Sequence, residues 1–558
     1  MALSAAFRSQ AACANWSPDG EFVATVTEHL VELRPVADPS CPQLFPSRER
    51  ILKLLWSPDS ARFLCLLADH TVRVFSVSDC QWTCAIDEGL LPVVAASWAP
   101  DSLHIVTVSD CGMRVSVWNL CATPAEDPLK LVVMRPKFPS AGRAFSPSGA
   151  FWAVCTRVDC KDFLEIFHVS REWIKLRDFQ VKTDDLQGLL WTPSETSLVV
   201  WDTPLLARLV VYHITGQVLF ELDPRTESLG FRHLQVHAKA NVLVASGYDE
   251  TIRVFSLGDW AEVFSPLHHR EKMPFSPHLL VVREEANEPP KRMQPEGLFT
   301  SQRNHEQRES GGNGEFCEAS SRSPVVYRQL CLQERQDASE EKENNSSGRC
   351  RQPRTENEKT TEAQEKVRAE RGEGREGQAI EEANKLPKAF ITLPTEKAAP
   401  VRLGSLLEAR TGAPSAGGSK ARKENASFGI CRTLLSPCGT FVASQNERQP
   451  CVIFVWSLQS GDLVSLVLHR EPVTSFAWSP HPAASGDTAC LAIATNASRF
   501  FLWTPRWQSV AELSTPLQCQ KLLWSPGGEA LLLQEKSKGV IAYPSFLYSA
   551  PDKEEAAM

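Results

Sequence analysis

The sequence lacks the motifs that mark the common enzyme active sites. It contains no G-x-S-x-G, no phosphate-binding P-loop, no H-E-x-x-H and no G-x-G-x-x-G at a strand–helix junction. Its 17 cysteines include no C-x-x-C pair and no Cys/His cluster at zinc spacing. We therefore expect no enzyme activity, no metal and no cofactor. The scattered, odd number of cysteines fits the reducing cytosol or nucleus.

Long apolar runs and an excess of basic charge are also absent. No apolar run approaches a membrane span, and the 558 residues carry a net charge of −8 without a basic stripe. We expect neither membrane nor nucleic acid as a partner. Acidic residues occur in adjacent pairs such as Asp184-Asp185 and Glu284-Glu285. Neighbours on a strand point to opposite faces, so we interpret these pairs as solvated turns rather than acid–base partners.

What the chain does contain is a short turn phrase that recurs between apolar runs. Adjacent copies within each half of the chain are separated by 40 to 47 residues. The copies are Trp16-Ser17-Pro18-Asp19-Gly20, Trp56-Ser57-Pro58-Asp59-Ser60, Trp98-Ala99-Pro100-Asp101-Ser102, Phe145-Ser146-Pro147-Ser148-Gly149, Trp191-Thr192-Pro193-Ser194, Leu435-Ser436-Pro437-Cys438-Gly439, Trp478-Ser479-Pro480 and Trp524-Ser525-Pro526-Gly527-Gly528. A period in the forties indicates a β-propeller of WD40 type.

The second copy predicts how one repeat folds. Residues 52–56 are an apolar strand, and residues 57–60 carry turn chemistry. Residues 63–67 form a second strand, and residues 71–77 alternate apolar and polar side chains as a third. A less regular stretch follows and would complete four strands per blade.

A ninth unit has a degenerate turn around His237 and a strand at Ile252. The predicted fold class is all-β, a WD40-type β-propeller with eight or nine blades. Two smaller propellers are the alternative. Because each blade has two bare faces, the ring must close on itself, but the spacing leaves both arrangements open.

The composition changes over residues 284–425, and all 15 tryptophans lie outside this span. Such a charged stretch cannot bury enough apolar surface to order itself. It predicts a disordered insertion that splits a blade, with strand-like flanks at 279–282 and 389–393. The blades then occupy residues 1–283 and 426–545, and residues 546–558 form a flexible tail.

Two kinds of short motif in the insertion suggest regulation. Lys342-Glu343-Asn344 and Lys423-Glu424-Asn425 resemble the degrons that the anaphase-promoting ubiquitin ligase reads. Ser323, which precedes a proline, is a candidate phosphorylation site, and phosphate there would change the local charge by about −2.

Several phrases go beyond a generic repeat. They span residues 7–20, 82–89, 157–167, 198–205 and 228–230. In this order they resemble the family of the WD-repeat protein antisense to tumour protein seventy-three. The resemblance covers roughly residues 1–283 and 428–545. The long insertion and the degenerate turn at His237 depart from the family's pattern.

The resemblance implies a non-catalytic scaffold at the centrosome, centriolar satellites and spindle poles, in the cytoplasm and cytoskeleton. It implies roles in microtubule minus-end anchoring, spindle assembly and ciliogenesis. The implied partner is a coiled-coil satellite protein of the synovial-sarcoma-X breakpoint interacting family. A minus-end-directed kinesin and other pericentriolar proteins are further candidates. A WD40 adaptor in another complex, either a ubiquitin-ligase substrate receptor or a translation-initiation platform, is the alternative.

Two groups of loop residues are candidates for holding the partner. They are Ile86, Asp87 and Glu88 in one phrase, and Asp159, Lys161 and Asp162 in another. As rim loops they would bind through charge and backbone contacts. As tight turns they would only fix blade spacing, and we favour this second interpretation slightly because acidic residues beside glycine are common in turns.

Overall fold

The computed structural model describes residues 2–9, 14–37, 41–110, 114–122, 126–139, 141–222, 229–269, 272–273, 279–286, 325–329, 401–402, 429–481, 489–513 and 517–543. Within these ranges the chain forms β-strands and no α-helix. The strands assemble into a nine-bladed β-propeller. The prediction of a single ring is confirmed with nine blades, and the unit with the degenerate turn at His237 is blade 6.

Each blade is an antiparallel sheet whose strands follow one another in sequence. The N-terminal strands are β1 (Ala2–Leu3) and β2 (Phe7–Arg8). Blades 1 to 3 are β3 (Asn15–Trp16), β4 (Phe22–Thr27), β5 (Leu30–Pro35), β6 (Gln43–Pro46); β7 (Ile51–Trp56), β8 (Arg62–Leu67), β9 (Val72–Ser76), β10 (Thr83–Ile86); and β11 (Val93–Trp98), β12 (His104–Ser109), β13 (Arg114–Asn119), β14 (Leu129–Met134). Blades 4 to 6 are β15 (Arg143–Phe145), β16 (Phe151–Val158), β17 (Lys161–His168), β18 (Ile174–Gln180); β19 (Gly188–Trp191), β20 (Ser197–Trp201), β21 (Leu209–His213), β22 (Val218–Leu222); and β23 (Phe231–His237), β24 (Val242–Gly247), β25 (Thr251–Ser256), β26 (Leu267–His268).

The stretch between blades 6 and 7 contributes β27 (Lys272–Met273), β28 (Leu280–Ala286), β29 (Val325–Gln329) and β30 (Val401–Arg402). Blades 7 to 9 are β31 (Ile430–Leu435), β32 (Phe441–Asn446), β33 (Val452–Ser457), β34 (Leu463–Leu468); β35 (Val473–Trp478), β36 (Leu491–Thr495), β37 (Arg499–Trp503), β38 (Gln508–Glu512); and β39 (Lys521–Trp524), β40 (Leu531–Gln534), β41 (Lys538–Tyr543).

The first strand of each blade lies on the inside of the ring. Neighbouring blades contact each other through these strands, as in the pairs β15–β19, β23–β31 and β35–β39. The inner strands therefore line the central channel. Because consecutive strands are antiparallel, the Ser-Pro turns lie on one face of the ring, which we call the repeat-turn face. The hairpins between second and third strands and the connections between blades lie on the opposite face, which we call the hairpin face.

The tryptophan of the repeat phrase ties neighbouring blades together. In five of the six repeat phrases that begin with tryptophan, the indole N–H donates a hydrogen bond to a carbonyl of the inner strand in the preceding blade. In blade 3, Trp98 Nε1 lies 3.1 Å from the oxygen of Leu55. The same bond recurs at Trp191–Ala144 (3.0 Å), Trp478–Leu434 (3.0 Å) and Trp524–Ala477 (3.1 Å). The repeated residue thus has a repeated structural role.

The ring closes between blade 9 and the N-terminus. Strands β1 and β2 both pair antiparallel with β41, so the N-terminal segment supplies the outer strand of the last blade. Trp16 of blade 1 donates its indole N–H to the carbonyl of Leu523 in blade 9 at 3.2 Å. The sequence did not predict this closure, because its blades were placed from Trp16 onward.

The sheet of blade 7 has six strands. Four are β31 to β34, and two, β28 and β29, come from the long stretch that precedes them in the sequence. Strand β28 pairs in parallel with β34, and β29 pairs antiparallel with β28. Val281 and Val282 of β28 are buried against the blade, which confirms the strand predicted at residues 279–282. Strand β28 runs through the predicted start of the insertion at Glu284. The second predicted flank at 389–393, both Lys-Glu-Asn motifs and Ser323 lie outside the described residues.

Candidate interaction face

The six residues predicted to contact a partner all lie on the hairpin face, but on different blades. Ile86 ends β10, and Asp87 and Glu88 begin the connection into blade 3. The other three lie at the β16–β17 hairpin of blade 4, where Asp159 and Cys160 adopt positive φ angles of 50° and 61°. Three of the six side chains are exposed, namely Asp87, Asp159 and Lys161. Ile86, Glu88 and Asp162 are buried.

Glu88 is the centre of a hydrogen-bond network inside blade 3. Its carboxylate accepts hydrogen bonds from Thr107 Oγ1, from Arg114 Nε at 2.8 Å and from Ser116 Oγ at 3.3 Å. Trp118 Nε1 in turn donates to Thr107 Oγ1 at 2.8 Å. A buried carboxylate with this many donors holds the connection against the second and third strands.

Blade 7 repeats this arrangement with a histidine. His269, in the connection that leads toward blade 7, is 3% exposed, and its Nε2 lies 2.9 Å from Ser444 Oγ. Trp456 Nε1 donates to the same hydroxyl at 3.0 Å. Thr107 and Ser444 hold equivalent positions in their blades. Each pairs with the inner-strand residue that lies two positions before the first residue of the repeat phrase. Glu88 and His269 therefore share one structural role, which is to fix a connection to its blade.

Asp162 is the centre of an ion-pair cluster between blades 4 and 5. Its carboxylate accepts hydrogen bonds from Arg157 at 2.7 and 3.0 Å and from Lys137 Nζ at 2.7 Å. The backbone N–H of Leu186, in the connection into blade 5, donates to it at 2.8 Å. Burial alone would raise the pKa of Asp162, but the hydrogen bonds from Arg157 and Lys137 outweigh burial and lower it.

The Asp184-Asp185 pair is more than a solvated turn. Asp185 Oδ1 lies 2.8 Å from Lys137 Nζ and also pairs with Arg157. The backbone N–H groups of both aspartates donate to the buried carboxylate of Asp202, at 2.9 and 2.8 Å. The side chains of Asp184 and Asp185 are 66% and 50% exposed, which fits the predicted solvated turn, but the sequence did not predict their contacts with distant residues.

Glu284 corrects the interpretation of the second acidic pair. It lies in β28 and is 3% exposed. Its carboxylate pairs with Arg499 of blade 8, accepts the backbone N–H of Arg470 at 2.9 Å and lies 3.8 Å from His469 Nδ1. The pair predicted as a solvated turn thus includes a buried anchor that joins β28 to blade 8.

Sequence reasoning missed the exposed leucines of the hairpin face. Leu90, directly after the Asp87-Glu88-Gly89 phrase, is 99% exposed, and Leu205 in the β20–β21 hairpin is 80% exposed. Leu229, 41% exposed, belongs to the connection whose Gly230 donates its N–H to Pro204 at 2.7 Å. The only sequence signal was that these leucines occur in connections rather than in strands. Exposed apolar side chains of this size mark interaction surfaces when they cluster.

Two other kinds of site are absent from the described part of the chain. No group of three or more His, Cys, Asp or Glu side chains within it is placed to hold a metal ion. No helix there has the length and hydropathy needed to cross a bilayer.

Comparison with known proteins supports the resemblance drawn from the sequence phrases. No protein-family model matches the chain. The chain resembles WD repeat-containing protein WRAP73 of Mus musculus along nearly its whole length. The two are 24% identical over 551 residues, which cover 96% of this chain and 94% of that protein. WRAP73 is the WD repeat protein antisense to TP73, so the predicted resemblance is confirmed.

Two further similarities are more limited. An uncharacterized WD repeat-containing protein of Schizosaccharomyces pombe is 25% identical over 278 residues, covering 48% of this chain and 55% of that protein. Among solved structures, the C-terminal WD40 domain of Sif2 is 10% identical, with a TM-score of 0.42 over 89% of this chain and 96% of that chain. The fold assignment therefore rests on the sheet topology itself.

Proposed function

We propose that this protein is a non-catalytic WD40 scaffold that binds a coiled-coil satellite protein of the synovial-sarcoma-X breakpoint interacting family. Through that partner it acts at the centrosome, centriolar satellites and spindle poles. There it supports minus-end anchoring, spindle assembly and ciliogenesis. The observation that carries the proposal is the full-length similarity to WRAP73, because a propeller fold alone hosts many functions.

The hairpin face supplies the docking surface in this proposal. Leu90, in the connection into blade 3, and Leu205, in the hairpin of blade 5, are the apolar anchors, and Asp87, Asp159 and Lys161 add exposed charges of both signs to the same face. A coiled-coil helix has an apolar seam flanked by charged positions, which matches leucines bordered by charges. Apolar anchors with a polar rim are the usual composition of a protein–protein interface.

Proximity labelling from the full-length protein in dividing cells tests both parts of the proposal. The test variant is L90S/L205S, and the matched control is L44S/L219S, whose leucines are 54% and 46% exposed on outer strands. We expect the unaltered protein and the control to label the coiled-coil partner, and the test variant to lose it.

Two outcomes would contradict different parts. Recovery of ribosomal or ubiquitin-ligase subunits without any centrosomal proteins would overturn the proposed function in favour of another WD40 adaptor. Undiminished labelling of the coiled-coil partner by L90S/L205S would leave the function standing and overturn the assignment of the docking surface.

A further inference from the structure

Blade 7 carries a strand at its outer edge that its own repeat does not supply. Strands β31 to β34 already form a four-stranded blade, and β28 is added beside β34. This added pairing is parallel, whereas the four strands of the blade pair antiparallel. Strand β29 in turn pairs with β28 rather than with one of those four strands. A segment from outside the repeat order thus fills a groove along β34, which we call the β28 groove.

The groove holds β28 by its backbone and by both of its faces. Residues 280–283 pair in register with residues 465–468 of β34. Val281 is 2% exposed and belongs to the apolar core shared by blades 6 and 7. Val282 is 1% exposed and belongs to the core shared by blades 7 and 8. Because side chains alternate along a strand, two consecutive apolar residues fill both sides of the groove.

A carboxylate-binding seat lies at the end of the groove. Glu284 follows Val282 by two positions and reaches the same side, where its carboxylate pairs with Arg499 of β37. The backbone N–H of Arg470 donates to that carboxylate at 2.9 Å, and His469 Nδ1 lies 3.8 Å from it. Burial raises the pKa of Glu284, but the contacts with His469 and Arg470 and the Arg499 charge outweigh burial and lower it. All three groups belong to blades 7 and 8, so the seat is built by the propeller and not by β28.

The seat offers one hydrogen-bond donor more than Glu284 uses. Glu284 pairs with Arg499 through the Nη2 atom. The Nε atom of Arg499 is buried and has no hydrogen-bond partner among the residues that the structure describes. Guanidinium–carboxylate pairs are strongest when two nitrogens take part. A carboxylate that reaches both nitrogens from another chain would therefore make a contact that Glu284 lacks.

We propose that the β28 groove docks an extended segment of a protein partner, which takes the place of β28. The segment has consecutive apolar residues followed, two positions after the last, by a carboxylate. Strand addition supplies backbone hydrogen bonds, and the side-chain sites on alternate faces supply specificity. Blade 7 keeps its own four strands when β28 leaves, so the exchange does not require the ring to open. The groove is separate from the hairpin-face leucines of blades 3 and 5 and adds a second docking site to the proposed scaffold.

Fluorescence anisotropy with purified full-length protein and a labelled peptide of residues 279–286 tests the inference. In the unaltered protein β28 competes with the peptide, so the measured affinity is reduced to the fraction of molecules whose groove is open. V281S/V282S weakens β28 and leaves the groove unaltered. We expect it to bind the peptide about tenfold or more tightly than the unaltered protein does. E284Q, which removes only the ion pair, should give a smaller gain in the same direction.

The seat is tested by a further change in the V281S/V282S protein. Adding R499Q removes the cation that pairs with the carboxylate and should abolish most of the gain in affinity. The matched control adds R177Q instead, because Arg177 is an exposed arginine on β18 of blade 4. This control should change binding by less than about twofold. A second peptide, with glutamine in place of the glutamate that corresponds to Glu284, tests the seat without any change in the protein and should bind as weakly as the R499Q variant does.

Several results would overturn the inference. Equal binding by V281S/V282S and the unaltered protein, or no binding by either, would mean that β28 covers no docking site. Equal binding of the glutamate and glutamine peptides would exclude the carboxylate seat. Dimers of the unaltered protein that R499Q abolishes, without peptide binding, would make the occupant β28 of a second copy. Because the assay omits the coiled-coil protein, loss of this inference would leave the proposed scaffold function intact.

Discussion

Replacing Asp162 by asparagine removes the central charge of the cluster between blades 4 and 5. Asp162 is 2% exposed, and the Lys137 side chain that it binds at 2.7 Å is 5% exposed. Breaking a buried ion pair from one side typically costs about 3–5 kcal/mol because the partner charge stays buried. Asp185 remains 2.8 Å from Lys137 and is itself half exposed, so we expect the lower end, about 3 kcal/mol.

The pH dependence gives this prediction a second readout. The pKa of Asp162 is lowered in the folded protein, since the hydrogen bonds from Arg157 and Lys137 outweigh the effect of burial. A depressed folded-state pKa means that the carboxylate stabilises the fold above its unfolded pKa. That stabilisation is lost as the pH falls through the folded pKa. D162N lacks this carboxylate, so the difference in unfolding free energy between D162N and the unaltered protein should be largest near neutral pH and should shrink in acid.

Urea denaturation of the unaltered protein and of D162N, at about pH 7 and about pH 3, measures the loss of stability and its pH dependence. K161Q is the matched control, because Lys161 is an exposed neighbour in the same hairpin; its unfolding free energy should change by less than about 0.5 kcal/mol. A D162N deficit below about 1 kcal/mol, or one that is equal at both pH values, would refute the reasoning.

Two other predictions concern ring closure and the added strand. Trp16→Phe removes the indole N–H that binds the Leu523 carbonyl and should lower the unfolding free energy by about 1 kcal/mol. Trp56, whose indole nitrogen has no hydrogen-bond partner among the described residues, is its control, and an equal loss in Trp56→Phe would contradict the role of the bond. Glu284→Gln should speed amide hydrogen exchange in β28 while β33 stays protected, because the ion pair with Arg499 is lost. Unchanged exchange in β28 would show that the carboxylate does not hold that strand.

The repeat architecture could be predicted because its signals are local. Proline and small polar residues fix the turns, and apolar runs on either side define the strands. The strands predicted at 52–56, 63–67 and 71–77 match β7, β8 and β9 to within about one residue at most ends. The unit at His237 was found in the same way, from the strand that follows its altered turn.

The closure and the buried acids could not be predicted because they depend on distant partners. Strands β1 and β2 have two residues each, too few to show any periodicity. Glu284 is buried because Arg499, 215 positions later in the sequence, forms an ion pair with it. Judged by local composition, Glu284 belongs to the charged segment that follows it, and it is therefore assigned to the insertion. Burial of a carboxylate follows from its ion-pair partner, which a window of sequence does not contain.

The altered turn of blade 6 has a structural explanation at its seam with blade 7. Leu435 holds the lead position of blade 7, so no indole N–H ties these two blades. Instead His233, Gln235 and His237, at alternate positions of β23, project toward blade 7. They donate to the carbonyls of Cys431 (2.9 Å), Thr433 (3.0 Å) and Pro437 (3.2 Å), and Gln235 Oε1 accepts the N–H of Leu435 at 3.2 Å. Several side-chain bonds to β31 and its repeat turn thus replace one indole bond at the seam between blades 6 and 7.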